Sequence, residues 1–377
     1  MKIGIVCYPT FGGSGVVATE LGMALAQKGH EVHFITYKQP VRLDLISRNI
    51  HFHEVFVEEY PLFHFQPYEL ALSSKMEEVA LMYQLDILHV HYAIPHAYAA
   101  YMAKQMLKEK GLDIKVVTTL HGTDITLVGS HPNYKTAVEF SINNSDVVTT
   151  VSESLKKDTL RLFNITKEIH VINNFIDFEK YPEIDSVECQ RHTIANDDER
   201  IITHISNLRP VKRAADVMDI FYKIQKEIPS KLLLVGEGPD KEHIEFQAKE
   251  LGILDKVLFL GNSNEVNKLL CYSDLFLLPS QTESFGLAAL EAMAARTPVI
   301  STNSGGLSEV NEHGVTGFLS DVGDTDDMAK NGIYILEDLD RLQQFKQNAL
   351  DQAKRFSLQN VLPAYKEVYR EVCPDCC

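Results

Sequence analysis

Two acids, Glu283 and Glu291, bracket the start of an apolar, helix-forming run, Gly286-Leu-Ala-Ala-Leu-Glu-Ala-Met-Ala-Ala. Glu283 precedes the run, where its charge meets the positive end of a helix. Glu291 sits among alanines, leucine and methionine, so its carboxylate is expected to be half-buried and to need a polar partner. A ribose diol suits it; an exposed helix residue is the plainer alternative. Earlier in the same half, Ser206-Asn207-Leu-Arg209-Pro-Val-Lys212-Arg213 gathers three cations at a helix start. Cations there oppose the helix dipole, so helix stability does not explain them. They suit a diphosphate, against the alternative of a solvated surface cluster. Near the N-terminus, Gly12-Gly13-Ser14-Gly15 lies between a strand-like run and a helix. Such a loop lets backbone approach a ligand and offers helix N–H groups to a phosphate or carboxylate, or it is simply a tight turn. Gly13, Gly15 and Ala18 also fit a loose dinucleotide fingerprint. However, the following strand ends Ile35-Thr36-Tyr37-Lys38, without the acid that would hold an NAD ribose.

The elements that must position these residues alternate as strands and helices. The sequence predicts a strand at residues 2–7, the glycine loop Phe11–Gly15, a helix at 16–28 ending at Gly29, and a strand at 31–36. This is a βαβ unit of a doubly wound sheet. Further strands are expected at 87–92, 115–120, 146–151 and 168–172, with helices such as 68–83 and 96–110. Asn, Asp and Pro accumulate over Asn173–Pro182, which reads as an interdomain linker. A second alternation follows, with strands at 201–206, 231–235, 257–260, 275–279 and 298–301 and helices at 214–227, 241–251 and 287–295. Gly236-Glu-Gly238-Pro239 and Asn303-Ser-Gly305-Gly306 are turns after strands. The reading is α/β: two Rossmann-like, doubly wound parallel-sheet domains facing a cleft. One spans 1–172 and is joined by a C-terminal helix within 357–377; the other spans 173–356. Ligands of such sheets bind at the carboxyl ends of the strands.

Composition excludes several classes. The 377 residues carry 52 acidic and 36 basic side chains, a formal charge of −16. This argues against nucleic-acid binding and against a polybasic membrane contact. The N-terminal apolar run is too short for a signal peptide, and no apolar stretch is long enough to span a membrane, so a cytoplasmic protein is expected. Six cysteines in a chain this long are no disulfide framework. Cys7, Cys189 and Cys271 are scattered, and Cys373, Cys376 and Cys377 are expected to be free thiols of a terminal tail rather than a metal site.

Taken together, Glu283-Ser-Phe-Gly-Leu-Ala-Ala-Leu-Glu291, Arg209 with Lys212, Gly236-Glu-Gly238-Pro239 and Gly305-Gly306 resemble the motifs of retaining glycosyltransferases of family 4, which have the GT-B fold. The resemblance spans the whole chain, and its joint pattern is specific although each part alone is weak. It implies that Arg209 and Lys212 hold the donor diphosphate, that Asn207 also binds the donor, and that Glu291 holds the ribose. Glu283, with backbone N–H groups of Phe285, Gly286 and Leu287, would face the donor sugar and phosphate. Gly12 and Gly13 would approach the transferred sugar or its phosphate. His121, in Thr118-Thr-Leu-His121-Gly-Thr-Asp124, would face the donor sugar, against the alternative of a structural histidine. The last helix, within 359–372, would pack on the first domain.

In the first half, residues 7–17, His89-Val-His-Tyr92-Ala-Ile-Pro-His96 and Thr119–Thr126 resemble the branch of the family that joins N-acetylglucosamine from UDP-GlcNAc to the hydroxyl of L-malate in bacillithiol biosynthesis. Ser14, Tyr92 and Thr119, at strand-end loops, could donate hydrogen bonds to a small dicarboxylate, and no arginine there pairs with both carboxylates. With no carboxylate nucleophile evident on the sugar's other face, front-face substitution is expected. The leaving phosphate would take the acceptor proton, with Arg209 and Lys212 stabilising it. No Asp-x-Asp pair falls at a predicted strand end, so no metal or other cofactor is expected. A lipid or polysaccharide acceptor and a non-catalytic UDP-sugar sensor remain open as alternatives, as does a homo-oligomer.

Overall fold

The computed structural model describes residues 1–10, 12–59, 64–181, 190–263 and 265–374. Phe11, Pro182, Cys189, Cys376 and Cys377, named above, lie outside them. Two compact units divide the chain: Met1–Asn174 with Val361–Cys377, and Phe175–Asn360.

The first unit contains β1 (Lys2–Val6), α1 (Gly13–Gln27), β2 (Glu31–Thr36), β3 (Ile50–Glu54), α2 (Tyr68–Tyr83), β4 (Ile87–His91), α3 (Tyr98–Glu109), β5 (Lys115–Leu120), α4 (Pro132–Asn143), β6 (Val147–Thr150), α5 (Glu153–Leu162) and β7 (Ile169–Val171). Its strands form one parallel sheet in the order β3-β2-β1-β4-β5-β6-β7. The central strands are buried along their length, as the near-continuous apolar runs of β1 and β4 require when helices cover both faces.

The second unit contains β8 (Arg200–Ile205), α6 (Ala214–Glu227), β9 (Ser230–Val235), α7 (Lys241–Glu250), β10 (Val257–Gly261), α8 (Val266–Cys271), β11 (Leu275–Leu278), α9 (Leu287–Ala294), β12 (Val299–Thr302), α10 (Leu307–Val310), β13 (Gly317–Ser320), α11 (Thr325–Leu336) and α12 (Leu339–Arg355). The sheet is again parallel, in the order β10-β9-β8-β11-β12-β13. Its core joins Ile202, Val217, Phe221, Leu232, Leu234, Leu275 and Leu277. The chain ends in α13 (Leu358–Val372), which from Val361 belongs to the first unit. There Tyr365 and Tyr369 are fully buried, and the Tyr369 hydroxyl lies 2.7 Å from His89 Nδ1.

Three expectations need correction. The sequence reading contained neither β3 nor β13, both short edge strands. The free-thiol expectation fails at Cys373, which is disulfide-bonded; a low cysteine count excludes a framework but not a single bond. Recognising β13 also places Asp324-Thr-Asp326 just after a strand. There Asp324 caps α11 by accepting from Asp327 N, and Asp326 pairs with Lys223. Among the described residues, no helix is long and apolar enough to cross a membrane.

Candidate functional site

In the second unit the expected residues converge at the carboxyl ends of β8, β11 and β12. Past β8 the chain turns through Leu208 (φ 37°) and a single 3-10 turn, Pro210–Lys212, before α6 begins. Lys212 Nζ thereby reaches Glu283 Oε1 at 2.6 Å. Ser280 Oγ donates to the same oxygen at 2.8 Å, so both bonds fall on Oε1. The loop after β11 is tied back by Gln281 N donating to Val211 O at 2.8 Å. Arg213 is turned away from this pair, its Nε donating to Asp216 Oδ2 at 2.7 Å. Of the three clustered cations, Arg209 and Asn207 beside it are exposed, while Lys212 is half-buried.

Two glycines make the loops fit. Gly305 has φ +64°, and a Cβ there would lie 2.0 Å from Glu283 O. Gly306 N donates to that same carbonyl at 2.8 Å. Gly236 has φ +123°, and a Cβ would lie 1.8 Å from Ser206 O. Both backbones adopt the region that L side chains avoid, at points where another chain segment touches them. Beneath the loops His204 is fully buried, with Nδ1 2.9 Å from Leu277 O and Nε2 2.8 Å from Ser206 Oγ. Burial pushes its pKa down to about 4, so it braces the Ser206 turn as a neutral ring. Gly286 caps α9 without a side-chain partner, and Glu291 lies on that helix, half-buried as its apolar neighbours predict.

In the first unit, Gly12 caps α1 and no side chain satisfies the helix start. Gly15 and Val16 donate to Gly12 O at 3.1 and 3.2 Å, directing the first N–H groups of the helix outward. Ser14 Oγ lies 2.7 Å from the Tyr92 hydroxyl. Tyr92 follows β4 with φ +92°, and its N–H donates to Thr119 O at 2.9 Å.

His121, at the end of β5, is nearly buried, and its Nε2 lies 2.8 Å from His91 Nδ1. Burial, with a smaller contribution from His96, pushes its pKa down to about 3, so the ring is neutral. The sequence reading assigned no role to Asp124, Ser280 or His91. Asp124 accepts from Gly122 N at 2.9 Å and His121 N at 3.2 Å through Oδ1, and from Ala93 N at 2.8 Å through Oδ2. One buried carboxylate thus fixes the turns after β4 and β5, and burial raises its pKa to about 6. The sequence signal for it is an aspartate two residues past a glycine at a strand end.

Thr119 is a correction. It is fully buried, with its hydroxyl 2.7 Å from both His89 Nε2 and Thr149 Oγ1. Register pairs Thr119 with His91 and with Thr149, so alternation puts all of them on the face that His89 shares with Tyr369. Thr119 serves that interior network and not the strand-end group of Ser14 and Tyr92.

Comparison with known proteins gives this geometry a context. Residues 11–180 match the family described as Glycosyltransferase Family 4, and residues 188–352 match Glycosyl transferases group 1. The chain is 49% identical over 376 residues to N-acetyl-alpha-D-glucosaminyl L-malate synthase of Bacillus anthracis, covering 100% of this chain and 98% of that one. Among solved structures it resembles sucrose-phosphate synthase from Thermosynechococcus elongatus (TM-score 0.83, 19% identity, 99% of each chain). It also resembles the HepE protein of Anabaena in complex with UDP and glucose (TM-score 0.82, 21% identity, 98% of this chain and 100% of that one). These structures share the GT-B fold with it. Because the near-half identity runs the full length of the chain, the protein belongs to glycosyltransferase family 4.

Proposed function

We propose that the protein transfers N-acetylglucosamine from UDP-GlcNAc to the hydroxyl of L-malate with retention at the anomeric carbon, the first step of bacillithiol biosynthesis. The observation that best supports the acceptor is the 49% full-length identity to the Bacillus anthracis malate synthase. The chemistry is supported by the paired Lys212 and Glu283.

On this reading Asn207, Arg209 and Lys212 hold the diphosphate and Glu291 the ribose. Phe285, Gly286 and Leu287 offer backbone N–H groups to the donor, and Glu283 accepts from the sugar through Oε2. Gly12 and Gly13 approach the sugar phosphate. His121 meets the sugar as a neutral hydrogen-bonding ring. Malate is taken by the Ser14 and Tyr92 hydroxyls and by the outward N–H groups at the start of α1, which favour a carboxylate.

Asp124, the buried acid next to His121, is held by backbone N–H groups, so it is not assigned the part of a nucleophile. Both Asp124 oxygens are occupied by backbone N–H groups. The sugar–phosphate bond therefore breaks as the malate hydroxyl attacks from the same face. The departing phosphate oxygen takes the hydroxyl proton, and Arg209 and Lys212 stabilise the charge on UDP. No metal ion is assigned a part in these steps.

The test is UDP release from UDP-GlcNAc in the presence of L-malate, D-malate, lactate or citrate. Release that requires L-malate is expected. Release that appears only with a lipid or saccharide acceptor would overturn the acceptor, and no turnover with any acceptor would favour a sugar-nucleotide sensor.

A further inference from the structure

A cluster unconnected with this chemistry lies at the strand-start edge of the first sheet, whereas Ser14, Tyr92 and His121 lie at strand ends. Glu31 and His33 share one face of β2, and His51 and His53 share one face of β3. The parallel register sets His33 beside His51, so all four side chains lie on the same face. Glu31 Oε1 is 3.2 Å from His33 Nε2 and 3.5 Å from His51 Nε2. The three ligand atoms all lie within 4.8 Å of one another. A tetrahedral Zn²⁺ with bonds of ~2.0–2.1 Å spaces its ligand atoms ~3.3 Å apart, close to the two separations between Glu31 and the imidazoles.

The surroundings orient the three groups. His33 Nδ1 lies 2.9 Å from His53 Nε2, leaving Nε2 directed at Glu31. The second carboxylate oxygen, Oε2, faces Lys2 Nζ at 3.5 Å, so Oε1 alone meets the imidazoles. The Tyr83 ring packs 4.5 Å from His33 and 5.9 Å from His51, closing one side. Partners of this kind, on the far side of His33 and of Glu31, are what fixes ligands in metal sites. His33 is fully buried while Glu31 and His51 are partly exposed, so an ion has an entry path.

We propose that Glu31, His33 and His51 bind one Zn²⁺ ion, with water in the fourth position, as a structural clip that holds the edge strand β3 onto β2. Two imidazoles and a carboxylate form a donor set typical of zinc. Binding to the folded chain alone would raise its melting temperature.

The experiment uses the full-length protein, with Zn²⁺ titrated against a chromophoric chelator and Co²⁺ as a spectroscopic substitute. One equivalent should bind, with the intense visible absorption of four-coordinate Co²⁺, and Zn²⁺ should raise Tm. His51→Ala and Glu31→Gln should each weaken binding by at least about tenfold and abolish the Tm rise. His170→Ala, on β7, should leave binding unchanged. If no equivalent binds, or if both ligand variants bind Zn²⁺ as the unmodified protein does, the site is a metal-free imidazole ladder and the proposal fails.

Discussion

Lys212 Nζ sits 2.6 Å from Glu283 Oε1, so a cation from the loop after β8 and an acid from the loop after β11 form one pair. Lys212→Ala should lower kcat/KM for UDP-GlcNAc by about 10²–10³, the usual cost of removing a preorganised charge-stabilising group. Glu283→Gln should also impair turnover, although its amide oxygen can still accept from Ser280. Because Lys212→Ala leaves Glu283 without its cation, the two losses should not add in the double variant. Initial rates for the four proteins decide this; strictly additive losses would mean that the residues act separately.

The Gly305 backbone is a second point of dependence. Gly305→Ala forces an L side chain onto a backbone of φ +64° and puts its Cβ 2.0 Å from Glu283 O. Gly314 is the control: its φ is +77°, but nothing lies within 4 Å of its added Cβ. Gly314→Ala should cost about 1 kcal/mol through backbone strain alone. Gly305→Ala should displace the Glu283 loop as well, and so weaken UDP binding by about tenfold or more. Calorimetric titration with UDP separates the two, and equal UDP affinity in both variants would refute the contact argument.

Much of this was legible in the sequence because long apolar runs and 3.6-residue periods mark buried parallel strands and their helices. β2, β5, α2 and α6 fall where periodicity put them. Of the four edge strands, β7 and β10 fall where the sequence put them, whereas β3 and β13 did not announce themselves. β3 reads Ile-His-Phe-His-Glu, with one polar side, and β13 is four residues opening on glycine. The cations and acids of the second unit were visible as types in strand-end loops. The Lys212–Glu283 contact was not, because it joins residues 71 positions apart. Thr119 departs from its expected place because proximity to a strand end does not reveal the alternation that turns its side chain inward.

Ser14 and Tyr92 are open to a direct test of acceptor binding. Their hydroxyls lie 2.7 Å apart, and a carboxylate arriving between them would accept from both. Tyr92→Phe and Ser14→Ala should each raise the KM for L-malate by about tenfold or more, since a hydrogen bond to a charged group contributes roughly 1.5 kcal/mol or somewhat more. The KM for UDP-GlcNAc should stay within twofold. A matched rise in both constants would place these hydroxyls on the donor instead.

Acid should destabilise the protein, through its buried histidines. Burial holds His89 and His121 near pKa 3 and His204 near 4, against 6.5 for an ordinary imidazole. Below pH 6.5 the unfolded chain binds protons that the folded rings refuse. The stability these rings contribute is therefore complete above pH 6.5 and is lost as pH falls towards 3–4, at up to about 1.4 kcal/mol per pH unit for each ring. Asp124 works in the opposite sense. Its folded pKa, near 6 against 3.8, makes the native state hold a proton that the unfolded chain releases, so its contribution is lost as pH rises from about 4 to 6. Three rings outweigh one carboxyl, so melting temperatures should fall from pH 7 to pH 5. Asp124→Asn lowers stability at every pH by altering the turn contacts, yet it removes the opposing titration and should steepen the decline between pH 6 and 4. Melts recorded at half-unit intervals check both slopes, and a decline no steeper in the Asp124 variant would show that this carboxyl does not titrate in that window.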